Sequence, residues 1–194
     1  MAGRPKIFDE QEVINKATQV FWDKCYDAAS SDELLSAMGI GKGSFYLTFK
    51  GGKQELYERS IQQFADQFYQ NFTREITQSD NEIAFLKELF LSLANAPTIG
   101  KTRGCYLGNA LVQLSEKDEH TQKIAAQLLK KLQKTFAQTI QKAQESGKMR
   151  NRENPEILGW HLCNLWNGIH VTRRMEKSPE TLRELIELNF KLLE

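Results

Sequence analysis

The stretch from Ser30 to Lys53, SSDELLSAMGIGKGSFYLTFKGGK, constrains the fold of this chain more than any other. Its first half places Ser30 and Glu33 at the spacing of a helix capping box, and apolar residues follow at helical intervals. Gly39 is expected to end this helix, because glycine readily takes the left-handed conformation that many helix C-termini need. A second short helix should run from about Lys42 to Phe49. The stretch therefore predicts two short helices joined by a tight turn.

The second of these helices has two different faces. Phe45 and Phe49 lie four residues apart on one side and, with Ile40 in the turn, are expected to hold the helix in place. The other side carries donors of the kind that meet phosphates and base edges, and no acidic residue lies between Glu33 and Glu55. Such a pair is typical of a DNA-reading helix-turn-helix. We expect DNA contacts from Ser31, Gly41, Lys42, Gly43, Ser44, Tyr46, Leu47, Thr48 and Lys53.

The string ELLSAMGIGKGSFYLTFKGGKQELY, preceded by FW-x-x-x-Y, resembles the DNA-binding domain of the TetR family of transcriptional regulators. The resembling block runs from about residue 8 to 57, and residues 38–46 match best. Two features depart from the family pattern. Cys25 stands where the family usually has glycine before the tyrosine, and the exit Phe49 to Lys53 is one residue longer than usual. The extra residue leaves two candidates, Gly52 and Lys53, for the position that contacts phosphate.

The resemblance implies an all-α fold of about nine helices. Residues 1–53 would form the helix-turn-helix DNA-binding domain, and residues 54–194 a ligand-binding and dimerisation domain. The implied function is that of a transcriptional regulator, a repressor, that binds palindromic operator DNA as a homodimer and is released by a small-molecule effector. Two DNA-binding domains on one two-fold axis can read successive turns of the major groove. For release, the effector must bind the two states of the dimer unequally.

Only four prolines and no run of alternating β-branched residues indicate an all-α chain, and 26% charged residues indicate a soluble surface. The 194 residues are 40% hydrophobic, which is enough for a core, and the net charge of +1 means that attraction to DNA must come from a local patch. No apolar run approaches the ~18 to 20 residues of a membrane helix, and the N-terminus has no apolar signal core. Three scattered cysteines predict reduced thiols rather than disulfides. We therefore expect a cytoplasmic protein without membrane contact.

Start and stop signals place the individual helices. Asp9 with Glu12 resembles a helix start, and Phe21 and Trp22 are expected to lie in the core. Asparagine or serine followed by proline opens the last two helices. The predicted helices span about 10–24, 31–38, 42–49, 54–76, 83–93, 104–114, 118–146, 155–174 and 179–193.

The N-terminal GRPK segment is short and basic. It is either a terminus that is disordered in the absence of DNA or an arm that places Arg4 in the adjacent minor groove.

Nothing in the sequence indicates an enzyme, a metal site or a cofactor. The run from Gly39 to Ser44 is not a nucleotide-binding P-loop, because Gly43 separates Lys42 from Ser44 and no strand precedes it. His161, Cys163 and His170 do not share one helical face, and no acidic cluster completes a ligand set. No catalytic triad or carboxylate pair is apparent.

An alternative function, that of a thiol-based sensing regulator, depends on Cys105. This cysteine lies close to two basic residues, Lys101 and Arg103, and near a predicted helix start. Both features would lower the pKa of its thiol, as a sensor of electrophiles or oxidants requires. The commoner case is a small buried cysteine that packs under the fourth helix. Aromatic residues on the fourth helix line either a core or a pocket. We expect an effector pocket formed by Phe64, Phe68, Phe90, Cys105, Trp166 and His170.

The last two predicted helices both carry apolar faces. These faces belong either to the core of one chain or to a four-helix interface with a second copy. The resemblance implies the dimer, with an interface formed by Trp160, Leu162, Leu182, Leu185 and Ile186.

Overall fold

The computed structural model describes residues 8–96, 103–113 and 118–193. These residues form nine α-helices and one turn of 3-10 helix, and contain no β-strand, which confirms the predicted all-α class. The helices are α1 (Glu10–Ala28), α2 (Ser31–Met38), α3 (Lys42–Thr48), α4 (Gly52–Thr77), α5 (Glu82–Ala94), α6 (Tyr106–Gln113), α7 (Glu119–Glu145), α8 (Pro155–Met175) and α9 (Pro179–Phe190), with the 3-10 turn at Lys191–Leu193.

The chain divides into two compact units. The first comprises Met1–Tyr69 and Asn109–Ala125, and the second Gln70–Gly108 and Ala126–Glu194. The predicted functional boundary at residue 53 falls inside the first unit, at the start of α4. That boundary stays a prediction about function. In the described helices, no segment is both long and apolar enough to cross a membrane.

Polar side chains begin the helices where the sequence predicts. The carboxylate of Asp9 accepts from the backbone N–H of Gln11, 2.8 Å away. The Ser30 hydroxyl accepts from the N–H of Glu33, whose carboxylate in turn accepts from the N–H of Ser30, completing the capping box. Asn154 and Ser178 cap α8 and α9 just before their prolines, and Gly39 ends α2 with a φ of 68°.

The core of the first unit is largely aromatic. The ring of Phe21 on α1 meets the ring of Tyr57 on α4 edge to face, with 4.8 Å between the ring centroids. α1 also packs against α2. Phe45 and Phe49 are 6% and 0% exposed, so they anchor α3 as expected. Trp22 is only partly buried.

The second unit has a core of its own, in which α9 packs against α5. The ring of Phe90 lies 5.3 Å from that of Phe190 and 5.5 Å from that of Trp166. α7 and α8 approach each other closely at Gly159, where an added Cβ would lie 2.8 Å from the Cβ of Ala137. Glycine at this position therefore permits close contact between the two helices.

Three of the five residues expected at a dimer interface are instead core residues of one chain. Leu162, Leu182 and Ile186 are fully buried, so they offer no surface to a second copy. Leu185 is partly buried, and Trp160 is half exposed. The correction has a simple reason: an apolar stripe at helical spacing looks the same whether it faces its own core or a partner.

Candidate DNA-binding surface

One side of α3 is buried and the other faces solvent. Opposite the buried Phe45 and Phe49, the side chains of Lys42, Ser44, Tyr46 and Leu47 are exposed, and that of Thr48 is partly exposed. Leu47 is 81% exposed and Tyr46 50%. The side chain of Leu47 packs little within the chain, so this face of α3 is accessible to another molecule.

Glycines keep the beginning of this exposed face free of side chains. Gly41 takes an extended conformation as the N-cap of α3, and Gly43 lies in its first turn. A Cβ added at either position would meet nothing within 4 Å inside the chain. Packing within the chain therefore does not require glycine at Gly41 or Gly43. The close approach of the backbone of another molecule would require it.

A small cleft of about 80 Å³ connects α3 with the starts of α2 and α4. It brings together four of the residues predicted to contact DNA from three different helices: Ser31, Lys42, Tyr46 and Lys53. The carboxylate-bearing Asp32 also lines this cleft and was not predicted, because its position depends on how α2 packs on α3. Two lysines, a hydroxyl and a phenol at one cleft are suited to a phosphate group.

Gly52 and Lys53 have different roles at the start of α4. Gly52 has a φ of 67° and donates its N–H to the Phe49 carbonyl, 2.9 Å away, so it makes the turn between α3 and α4. Lys53 carries the charge, with its ammonium 4.6 Å from the centroid of the Tyr26 ring. Burial lowers the pKa of Lys53, and the nearby Asp27 acts in the opposite direction. Which of the two contacts phosphate stays a prediction.

Cys25 interrupts α1 with a backbone that glycine normally supplies. Its φ of 68° and ψ of 165° kink the helix, so the regular part ends near Lys24 as predicted, although helical geometry resumes up to Ala28. Non-glycine residues rarely adopt this conformation, and it stores strain. The sulfur of Cys25 accepts from the side-chain amide of Gln113, 3.0 Å away. The chain thus keeps the turn at which the resembling family has glycine.

The residues expected to line an effector pocket are divided between the two units. Phe64 and Phe68 belong to the first unit and are partly buried. Phe90, Trp166 and His170 are buried in the second unit, to which Cys105 also belongs. Their assignment to one pocket stays a prediction.

The predicted lowering of the Cys105 pKa is wrong. Burial raises the pKa of this thiol, and this effect outweighs the hydrogen bond that the Gly108 N–H donates to the sulfur at 3.3 Å, the contact with Trp166 and the charge of Arg173. Helix position and sequence neighbours indicated a thiolate, but the depth of the sulfur decides in favour of the thiol.

The predicted minor-groove contact of Arg4 lies outside the described residues. Within residues 8–96, 103–113 and 118–193, no three His, Cys, Asp or Glu side chains are grouped so as to hold a metal ion. Arg173, which is buried three residues after His170 on α8, was not among the predicted site residues. Its spacing from His170 on one helical face was the available signal.

An exposed apolar stripe runs along α8 and α9, and of the five residues predicted at the dimer interface it includes Trp160. On α8, Trp160 is 50% and Met175 is 75% exposed. The stripe consists of Ile157, Trp160, Val171 and Met175 on α8 and Leu188 on α9, followed by Leu192 in the 3-10 turn.

Models of two known protein families match the chain. Residues 13–59 match the family described as bacterial regulatory proteins of the tetR family. Residues 83–188, more than half of the chain, match the tetracyclin repressor-like C-terminal domain. The chain belongs to the TetR family.

Among proteins similar to this TetR-family chain is the HTH-type transcriptional repressor DhaR of Mycobacterium sp. (strain GP1), 25% identical over 94% of this chain and 91% of DhaR. The repressor ComR of Escherichia coli (strain K12) is also 25% identical, over 98% of this chain and 91% of ComR. A cysteine mutant of the TetR family regulator CifR, solved with 26-bp double-strand operator DNA, has a TM-score of 0.85 at 20% identity and covers 99% of this chain and 100% of that one. These TetR-family likenesses identify a transcriptional regulator with a helix-turn-helix.

Proposed function

We propose that this TetR-family regulator is a repressor that binds palindromic operator DNA as a homodimer and is released by a small-molecule effector. The single observation that carries the DNA-binding part is the cleft where Ser31, Lys42, Tyr46 and Lys53 meet beside the exposed face of α3.

The proposed reading of DNA divides between two kinds of contact. Lys42 and Ser44 on the exposed face of α3 are candidates for base edges or adjacent groups, because a helix presented in this way fits the major groove. Tyr46, Thr48 and Lys53 are candidates for phosphates, which fix the register of the helix. Gly41 and Gly43 leave room for the DNA backbone at the start of α3.

The proposed homodimer uses the exposed stripe of α8 and α9. The stripe includes Trp160 and Leu188 and extends from Ile157 to Leu192. Large apolar side chains on two neighbouring helices are what a self-complementary, two-fold interface requires. A two-fold axis would also match a palindromic operator, since each half-site would meet one copy of α3.

Release by an effector requires that the ligand favour a state of the dimer that no longer fits the operator. α4 supplies residues to both compact units and is the proposed carrier of that change. Proteins of the kind to which residues 83–188 belong are described as tetracyclin repressor-like in their C-terminal domain, which supports ligand binding there.

A second candidate input is chemical modification of Cys105. The Gly108 N–H at 3.3 Å from the sulfur and the charge of Arg173 both favour a thiolate, but burial opposes it. Because Cys25 is exposed and would react as well, mass spectrometry after mild treatment of the Cys25→Ala chain with N-ethylmaleimide tests this candidate. Modification of Cys105 with loss of DNA binding would support thiol sensing, whereas an unmodified Cys105 would leave the ligand-gated mechanism.

The decisive experiment is a titration of the full chain against its own upstream DNA and against random DNA of equal length, at two salt concentrations. We expect tight, salt-dependent binding of one dimer per palindrome. Tyr46→Phe with Lys53→Ala should weaken binding to all sequences and flatten the salt dependence. Unchanged affinity and slope in that double variant would contradict the assignment of these residues.

A further inference from the structure

Three polar residues on α8, spaced by three, carry buried side-chain atoms without hydrogen-bond partners in the part of the chain that the structure describes. Both ring nitrogens of His170, the Nε of Arg173 and the amide oxygen of Asn167 lack a partner. His170 is 6% and Arg173 4% exposed. The three residues are spaced by three, so their side chains point to one side of the helix. Buried polar atoms are normally satisfied, and a cluster of exceptions on one helix needs an explanation.

The charge of Arg173 makes this cluster more unusual. No carboxylate within residues 8–96, 103–113 and 118–193 forms an ion pair with its guanidinium. The one group that acts to raise the pKa of Arg173 is the Cys105 thiol, which burial keeps protonated. Burial lowers the pKa of Arg173. A buried guanidinium is strongly disfavoured unless an anion accompanies it.

The neighbouring imidazole of His170 is suited to donate a hydrogen bond to an anion. Burial and then the charge of Arg173 lower the pKa of His170 to about 3, so the ring is neutral near pH 7. A neutral imidazole has one N–H donor, which can reach an anion's oxygen without adding a second positive charge. The acceptor nitrogen of the ring and the amide oxygen of Asn167 can receive bonds from a hydroxyl or water next to that anion.

Aromatic rings lie on one side of this cluster, next to His170. The His170 ring lies 4.9 Å from the Trp166 ring, which in turn lies 5.5 Å from Phe90 and 6.4 Å from Phe136. A ligand that met Arg173 and His170 would thus have apolar walls next to its charged end. This combination of a fixed charge and an apolar wall favours an organic anion over an inorganic one.

We propose that Arg173 and His170 form the anion-binding end of the effector site, which takes a small carboxylate with an apolar body. This inference rests on the proposed effector binding and names its chemical class. The guanidinium binds the carboxylate through two parallel N–H donors, and the N–H of His170 completes the contact. The carbon skeleton of the ligand packs against Trp166.

The test compares carboxylates with their uncharged amides on the full chain, without DNA. The probes are benzoate with benzamide and butyrate with butyramide, each added during thermal unfolding. We expect at least one carboxylate to raise the unfolding midpoint with rising concentration, and its amide to leave the midpoint unchanged. Equal effects of acid and amide, or no effect of either acid, would overturn the proposal. Because no DNA is present, the result does not depend on whether the chain reads an operator.

Variants at adjacent positions supply the matched control. Arg173→Met should weaken carboxylate binding by about tenfold or more, whereas Arg174→Met, next to it but exposed, should leave binding unchanged. Without ligand, Arg173→Met should unfold at a higher temperature than the wild type, because an unpaired buried cation has been removed. A lower midpoint in Arg173→Met would assign the guanidinium to structural support and contradict the proposal, as would undiminished binding.

Discussion

The ammonium of Lys53 lies 4.6 Å from the centre of the Tyr26 ring and 3.5 Å from the Asp27 carbonyl oxygen. This contact joins the end of α1 to the start of α4, and it holds a positive charge beside the cleft that Ser31, Lys42 and Tyr46 also line. A cation over an aromatic face keeps its charge but loses freedom of movement.

Lys53→Ala should weaken binding to every DNA sequence. The loss of a phosphate contact lowers the slope of log affinity against log salt by about one for each contact. Tyr26→Leu keeps the charge but removes the ring that positions it, so it should weaken binding less and preserve the slope. Lys16→Ala, which removes an exposed cation of α1, is the control. The assay is DNA titration at several salt concentrations, and an unchanged slope in Lys53→Ala would contradict the phosphate role.

Gly43→Ala and Gly43→Leu should separate DNA binding from folding. An added side chain meets nothing within 4 Å inside the chain, and both alanine and leucine favour a helix over glycine by up to about 1 kcal/mol. Both variants should therefore be at least as stable as the wild type. Leucine should abolish operator binding because it occupies the space that the DNA needs, and alanine should reduce it. Full DNA affinity in a folded Gly43→Leu chain would show that this face of α3 does not enter the groove.

Cys25→Gly should stabilise the chain. The backbone of Cys25, with a φ of 68° and a ψ of 165°, is accessible to glycine at little cost and strained for other residues, so relief of the strain should contribute about 1 kcal/mol. Cys25→Ala is the matched control, because it also loses the hydrogen bond from Gln113 but keeps the strain. Denaturant unfolding compares the two. Equal stability of the glycine and alanine variants would mean that the conformation is not strained.

His170 should make the second unit sensitive to acid. Its pKa is lowered to about 3 in the folded chain, against 6.5 ordinarily, through burial and then Arg173. Below about pH 6.5 the unfolded state therefore binds a proton that the folded state does not bind. The free energy of unfolding falls as the pH falls from 6.5 towards 3. Between pH 7 and pH 5, the wild type should lose about 2 kcal/mol more unfolding free energy than His170→Gln. Parallel pH profiles of the two chains would show that His170 titrates normally.

Charges placed on the exposed stripe of α8 should separate the proposed dimer. Val171→Glu with Met175→Glu adds two carboxylates where large apolar side chains face water in one chain, so the folding of a single copy should be little affected. Light scattering should report a monomer. Val112→Glu, at an exposed apolar position of α6, is the control and should remain dimeric. A dimer in the double variant would place the interface elsewhere.

Local features of this fold could be read from the sequence, because they depend on neighbouring residues. The capping box of Ser30 and Glu33 and the left-handed Gly39 are examples. Burial could not be read in the same way, because it depends on distant parts of the chain. For this reason Leu162 was expected on a surface and lies in the core, the pKa of the Cys105 thiol is raised rather than lowered, and Arg173 was overlooked.

The three cysteine thiols differ in exposure, and therefore in their expected reactivity towards maleimides. Cys25 is exposed, whereas Cys163 is buried and burial raises its pKa to about 11, and burial raises the pKa of Cys105 as well. Since maleimides react with accessible thiolates, a brief treatment should attach one fluorophore to Cys25 and spare the other two. The wild-type chain thus carries its own labelling handle in the first unit, and an optical signal from that position can follow operator binding without any engineered cysteine.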